Sequence, residues 1–200
     1  MRFLVISNTI TNGGDFLFLN SGRRLINKHL GAQNYDYYNL NDTNLNEIEI
    51  NKYGFIIYIG GPLYINRLIE NIFSPIVDKI IEAKKKLFIL GCGWYGATGE
   101  SEVVYNYIFS EKVRKVLDYV NENGVLGCRD DLTVRILKNN GYKNVIMTGC
   151  PVWYDSLEVK NREFAKINKI AISDMGITKE KELQDEKFMQ MVDVLSFLCE

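Results

Sequence analysis

The stretch Phe55-Ile56-Ile57-Tyr58-Ile59-Gly60-Gly61-Pro62 decides the fold class. It opens with an uncharged apolar run, too short for a helix and rich in β-branched and aromatic residues, as in a strand covered on both faces. Gly60-Gly61-Pro62 closes it with turn chemistry. A strand buried on both faces needs helices above and below it, and that requirement points to an open, mostly parallel sheet.

The pattern repeats outward from there. Residues 2–7 form an apolar strand that runs into Asn12-Gly13-Gly14-Asp15, and Tyr35–Leu40 is a Tyr-rich second strand. Leu87–Leu90 runs into Gly91-Cys92-Gly93-Trp94-Tyr95-Gly96 and on to Gly99. Val125–Cys128 leads to Arg129-Asp130-Asp131, and Asn144–Thr148 leads to Gly149-Cys150-Pro151. Helices fill the gaps. One is expected over 15–29, and another carries the stripe Ile69, Ile72, Phe73, Ile76, Val77, Ile80 and Ile81. Pro75 interrupts that stripe, so a kink or a break is expected there, with Ser74 placed to cap a restarted helix. A third helix carries Val113, Val116, Leu117 and Val120, with Gly124 as its C′ residue, and a fourth carries Leu132, Ile136 and Leu137 and ends at Gly141. Strands alternating with helices in this order predict an α/β chain with a doubly wound, mostly parallel Rossmann-like sheet over residues 1–155.

The composition changes after Pro151. Residues 156–169 read as a charged linker, Ile170–Ser173 as a short strand, and Phe188, Met191, Val192, Leu195 and Leu198 as the stripe of a last helix. This reading gives 170–200 as the incomplete start of a second domain, or a β-α element packed on the first. The helix's apolar stripe needs a partner, either the main sheet or a second subunit in a homodimer.

Composition excludes several classes. Hydrophobic residues are 46% and charged residues 24% of the 200 residues, the balance of a globular protein with a real core. A net charge of −1 gives no general pull toward nucleic acid or anionic membrane. Lys84-Lys85-Lys86 reads as a solvated helix end. No run approaches the ~18 apolar residues of a transmembrane span, and the apolar run at the start is too short for a signal peptide, so the chain is read as cytoplasmic. The four cysteines form no C-x-x-C pair and are read as reduced residues at strand ends. His29, the one histidine, falls on a helix without a nucleophile motif beside it. Neither a metal nor a cofactor is expected. The glycine turns are not a dinucleotide fingerprint, and no P-loop is present.

In a doubly wound sheet, ligands bind beyond the carboxyl ends of the strands, where this sequence puts its glycines. The candidate binding residues are Asn12, Gly13, Gly14, Asp15, Gly60, Gly61, Gly91, Gly93, Trp94, Tyr95, Arg129 and Asp130. Glycines let backbone N–H groups approach a ligand closely. Asp15 is placed either to cap the helix after it or to face the cleft. Arg129 supplies a cation suited to phosphate or carboxylate, while Asp130 or Asp131 must also serve as N-cap. Trp94 and Tyr95 are placed either to stack on a sugar ring or to pack their loop on the sheet.

The order of these turns resembles the polysaccharide pyruvyl transferase family over roughly residues 1–155. The matching segments are Asn12-Gly13-Gly14-Asp15, Gly60-Gly61-Pro62, Gly91-Cys92-Gly93-Trp94-Tyr95-Gly96, Arg129-Asp130-Asp131-Leu132-Thr133 and Gly149-Cys150-Pro151. The family pattern has a third glycine where Pro62 stands, and a proline after Gly96 that is missing here. The resemblance implies a two-domain architecture of the GT-B type. It implies transfer of pyruvyl from phosphoenolpyruvate to hydroxyls of a sugar or glycan acceptor, forming a cyclic ketal on a surface polysaccharide. It further implies that this chain supplies mainly the acceptor side. The donor's anionic groups and a general acid/base histidine would then belong to the C-terminal domain, so His29 is not that residue and the chain is expected to be inactive alone. Two other readings are a GT-B-like half of a sugar-nucleotide glycosyltransferase and a non-catalytic carbohydrate-binding protein.

Overall fold

The computed structural model describes residues 2–8, 13–41, 44, 47–64, 66, 69–70, 74–94 and 105–155. The chain divides into two compact units, Met1–Glu158 and Val159–Glu200. The linker, the strand at 170–173 and the last helix expected from the sequence lie outside the described residues.

The strands are β1 (Phe3–Ser7), β2 (Tyr35–Asn39), β3 (Phe55–Ile59), β4 (Pro62–Tyr64), β5 (Lys86–Trp94), β6 (Gly124–Cys128) and β7 (Val145–Met147). The helices are α1 (Gly13–Leu30), α2 (Ser74–Glu82), α3 (Glu111–Asn123), α4 (Asp131–Asn139) and α5 (Pro151–Asp155). The sheet order is β2-β1-β3-β5-β6-β7, with β4 pairing β5 off this path. Every pairing is parallel. The expected α/β, doubly wound, mostly parallel sheet is therefore what the chain forms.

Alternation along the strands builds two cores. Leu4, Ile6, Ile56, Tyr58, Leu87 and Ile89 face one side, beneath the stripes of α2, α3 and α4. Phe3, Val5, Ile57 and Ile59 face the other and meet Phe18, Leu19 and Ile26 of α1, with Val152 of α5 packed beside them. In α3 the stripe is Val113, Val116, Leu117 and Val120, all buried, and each is worth roughly 1.5–3 kcal/mol relative to exposure. Ser110 caps that helix by accepting from the Val113 amide at 3.4 Å.

Three departures from the sequence reading have local causes. β4 was not expected, because three residues after a Gly-Gly turn carry no periodic signal. β5 continues through Gly91-Cys92-Gly93 to Trp94, so the first glycines of the expected loop are strand. Gly124 ends α3 with extended rather than left-handed backbone (φ −171°) and begins β6. A side chain there would run into the Leu87 carbonyl oxygen across the ladder. The fourth helix was expected to end at Gly141; it ends at Asn139, and Gly141 has left-handed backbone at φ +90°. α2 begins at Ser74 with Pro75 in its first turn, so a helix does start where the interruption was expected, and residues 71–73 just before it lie outside the described residues.

Candidate functional site

The strand order reverses at β1. The chain passes from β1 to β2 on one side and returns to β3 on the other, which opens a crevice beyond the carboxyl ends of β1 and β3. Asn8, just past β1, accepts a 2.6 Å hydrogen bond from the hydroxyl of Tyr58 on β3. Tyr58 is fully buried, and burial, reinforced by Cys92 and Asp15, holds its hydroxyl in the protonated, donating form. The bond ties the two strand ends together.

Asp15 lies in the first turn of α1, two residues inside the helix start at Gly13, so it is not the residue before the helix. Its carboxylate sits on Gly61 at the end of β3, and a Cβ built there would be 2.6 Å from Oδ1. The Gly61 carbonyl in turn accepts from the Gly93 amide at 3.3 Å. Over Gly93 lies the Arg129 guanidinium, with Nε 2.5 Å and Cζ 2.9 Å from the position a Cβ would take. The Arg129 amide donates to the Cys92 carbonyl at 3.0 Å, which fixes where the side chain starts. A carboxylate and a guanidinium thus rest on two hydrogen-bonded glycines that neither could approach if those positions carried side chains.

Asp130 caps α4. Its Oδ1 accepts from the Thr133 amide at 2.7 Å, and its Oδ2 lies 3.6 Å from Arg129 Nε. Both side chains keep contact with solvent, Arg129 at 39% and Asp130 at 42% exposure, so the pair is weakly coupled and the guanidinium can exchange partners. Thr133 accepts from the Trp94 amide at 2.8 Å and so ties the end of β5 to α4.

Trp94 packs into the core rather than lying in an open loop. Its ring meets Tyr107 edge-on at 5.6 Å, and among the described residues its buried indole Nε1 has no partner. Gly13 and Gly14 form the exposed first turn of α1, whose N–H groups point toward the crevice end of the sheet. Gly60 is buried against the Tyr58 ring. Asn12 and Tyr95 lie outside the described residues. His29 is exposed in the last turn of α1, at the opposite end of that helix from Asp15.

Two residues that build the site were not singled out from the sequence. Tyr58 was hidden inside an apolar run, although a hydroxyl in a fully buried strand demands a partner. Thr148 donates to the Cys128 carbonyl at 3.2 Å and accepts from the Gly91 amide at 3.0 Å, joining β5, β6 and the turn after β7. Cys92 and Cys128 pair in register behind the glycine floor. Burial raises both thiols, Cys128 to about 12 with Asp130 adding to the effect, so they are packing groups and not nucleophiles. Among the described residues no helix is long and apolar enough to cross a membrane, and no cluster of His, Cys, Asp and Glu is arranged to hold a metal ion.

Fold and site together define a doubly wound α/β protein whose crevice carries a cation and an anion on a glycine floor. The family model for polysaccharide pyruvyl transferase matches residues 12–195, and the chain belongs to that family. The match reaches well past residue 155, where the sequence resemblance stopped. No curated protein and no solved structure matches this chain.

Proposed function

We propose that this chain takes part in transferring a pyruvyl group from phosphoenolpyruvate to two hydroxyls of a sugar in a cell-surface polysaccharide, supplying mainly the acceptor-side half of a GT-B-type enzyme that works in the cytoplasm. The observation that carries the reading is Arg129 and Asp15 held on Gly93 and Gly61. The reaction needs both signs of charge. One sugar hydroxyl adds to the central carbon of the enol as its methylene takes up a proton. The second hydroxyl then displaces phosphate. Of the two hydroxyl protons, one is balanced by the new methyl group and the other leaves with the phosphate. A guanidinium matches the donor's phosphate or carboxylate, and a carboxylate can accept from a sugar hydroxyl. Asn12, Gly13, Gly14, Tyr95 and Asp130 complete the proposed binding surface.

The test is calorimetric titration of phosphoenolpyruvate into the purified chain, with a nucleotide sugar as competitor. A charge-assisted hydrogen bond is worth about 1.5–3 kcal/mol, so Arg129→Ala is expected to weaken binding roughly 10- to 100-fold. Saturable binding of the nucleotide sugar that phosphoenolpyruvate fails to displace would make the chain a glycosyltransferase half instead. If phosphoenolpyruvate does not bind at millimolar concentration, Arg129 is not a donor contact.

A further inference from the structure

The described surface carries a second aromatic feature at the same end of the sheet. Trp153 is 77% exposed and Tyr154 58% exposed, both on α5. Val152 of the same helix turns inward against the α1 core, so the aromatic pair is displayed while its neighbour anchors it. Adjacent helical residues project about 100° apart. The two rings therefore make a corner rather than one flat plate. Tyr154 folds back over Gly149, its hydroxyl 3.1 Å from where a Cβ would stand.

This corner is fixed to the candidate site. The Cys128 carbonyl accepts from the amides of Thr148 and Gly149, at 2.8 Å and 3.1 Å, and Arg129 is the next residue along. At the other side of the floor, a Cβ built on Gly91 would stand 2.8 Å from the Gly149 carbonyl oxygen and 2.9 Å from Pro151. The segment bearing Trp153 and Tyr154 thus starts from the strand ends that hold Arg129 and Gly93.

We propose that Trp153 and Tyr154 form the platform on which the acceptor sugar stacks, with its hydroxyl edge turned toward the Asp15–Arg129 crevice. This rests on the proposed pyruvyl transfer, which requires a sugar beside the donor. The chemistry fits a pyranose: the C–H face of a sugar packs on an exposed aromatic face. Both residues have rigid side chains, so little freedom is lost on stacking. The sequence offered Trp94 for this role, but Trp94 is packed against Tyr107.

The chain contains two tryptophans, so Trp94→Phe leaves Trp153 as the sole indole reporter. That variant is titrated with cellobiose, lactose and α-1,6-mannobiose while fluorescence and acrylamide quenching are followed. At least one disaccharide is expected to shift the emission saturably and to shield the ring from quencher. Calorimetry on the otherwise unchanged chain then gives the affinity, expected to fall roughly tenfold in Trp153→Ala and to persist in Trp153→Phe. Sugar binding unaffected by Trp153→Ala with Tyr154→Ala overturns the proposal, as does the lack of any saturable signal. A dimer that dissolves in that double variant while sugar affinity is unchanged overturns it in favour of a subunit interface. Phosphoenolpyruvate is titrated into the same variants. Donor binding that survives while the sugar result fails leaves pyruvyl transfer standing without this platform. Sugar binding lost with Trp153 while no donor binds leaves the platform standing without pyruvyl transfer.

Discussion

Gly93→Ala separates the placement of Arg129 from the stability of the fold. Gly93 has no left-handed backbone, so alanine is conformationally acceptable there. Its new methyl group would stand 2.5 Å from Nε, 2.9 Å from Cζ and 3.0 Å from Nη2 of Arg129. Non-bonded heavy atoms settle at about 3.5 Å, so the guanidinium must retreat by about 1 Å. It can do so, because the side chain is 39% exposed and flexible. The fold should lose less than about 1 kcal/mol, or no more than roughly 2–4 °C in Tm for a chain of this size. A charged group moved by about 1 Å costs a ligand it pairs with up to roughly 100-fold. Calorimetry with phosphoenolpyruvate should therefore show Gly93→Ala weakened nearly as much as Arg129→Ala, and the double variant no weaker than either, since both act through one group. Wild-type affinity in Gly93→Ala, or additive losses in the double variant, would refute the assignment of the floor to Arg129.

Gly127→Ala should behave in the opposite way. Its methyl group would meet the Ile89 backbone carbonyl, which cannot step aside, so urea unfolding should show a loss of at least about 3 kcal/mol. Asp130→Ala removes the α4 cap and should cost about 1 kcal/mol, whereas Asp130→Asn keeps the cap and should restore stability in thermal melts. Alkaline stability follows from the buried acids. The Cys128 thiol is raised from 9.0 to about 12, and Cys92 and Tyr64 are raised as well. The folded state holds these groups protonated, so their contribution is intact below pH 9.0 and is lost as the pH climbs toward about 12. Urea midpoints measured from pH 8 upward should fall in that window, and Cys128→Ala should flatten the part due to that thiol.

The sheet was legible because burial on both faces leaves a plain mark: short apolar runs ended by glycine. Phe55–Ile59 carried that mark, α3 carried the separate signal of a one-sided helical stripe, and the structure places both as the sequence suggests. The end of β5 did not. From sequence, Gly91-Cys92-Gly93-Trp94 is indistinguishable from a ligand loop, because glycine serves equally for a turn, a bulge and a close contact. Asp15 was placed at the right helix end but not on Gly61, since the approach of α1 to the end of β3 is a long-range fact of packing. Trp153 and Tyr154 drew no notice because they follow a proline turn and fall on no periodic face.

The bulge in β5 explains why Gly93 rather than Trp94 became floor. Leu87 and Ile89 point into the α2–α3 core, and Phe88 and Leu90 point to the α1 side. Strict alternation would send Cys92 and Trp94 to the α1 side as well. Instead the register shifts between Ile89 and Cys92, and Gly91 takes φ +63°. One extra residue reverses the phase of everything after it. Cys92 joins the Leu87 face, Trp94 follows it to meet Tyr107, and Gly93 falls on the opposite side, beneath Arg129. Gly91→Ala tests this account. A side chain there is strained by roughly 1–2 kcal/mol for the left-handed backbone, and it would also press on the Gly149 carbonyl at 2.8 Å. If the bulge sets the phase, the variant should lose stability and also alter the near-ultraviolet signal of Trp94, measured in a Trp153→Phe background. Lost stability with an unchanged Trp94 signal would mean that Gly91 serves only the contact with the 149–151 turn, and that the phase of β5 is set by the packing of Trp94 itself.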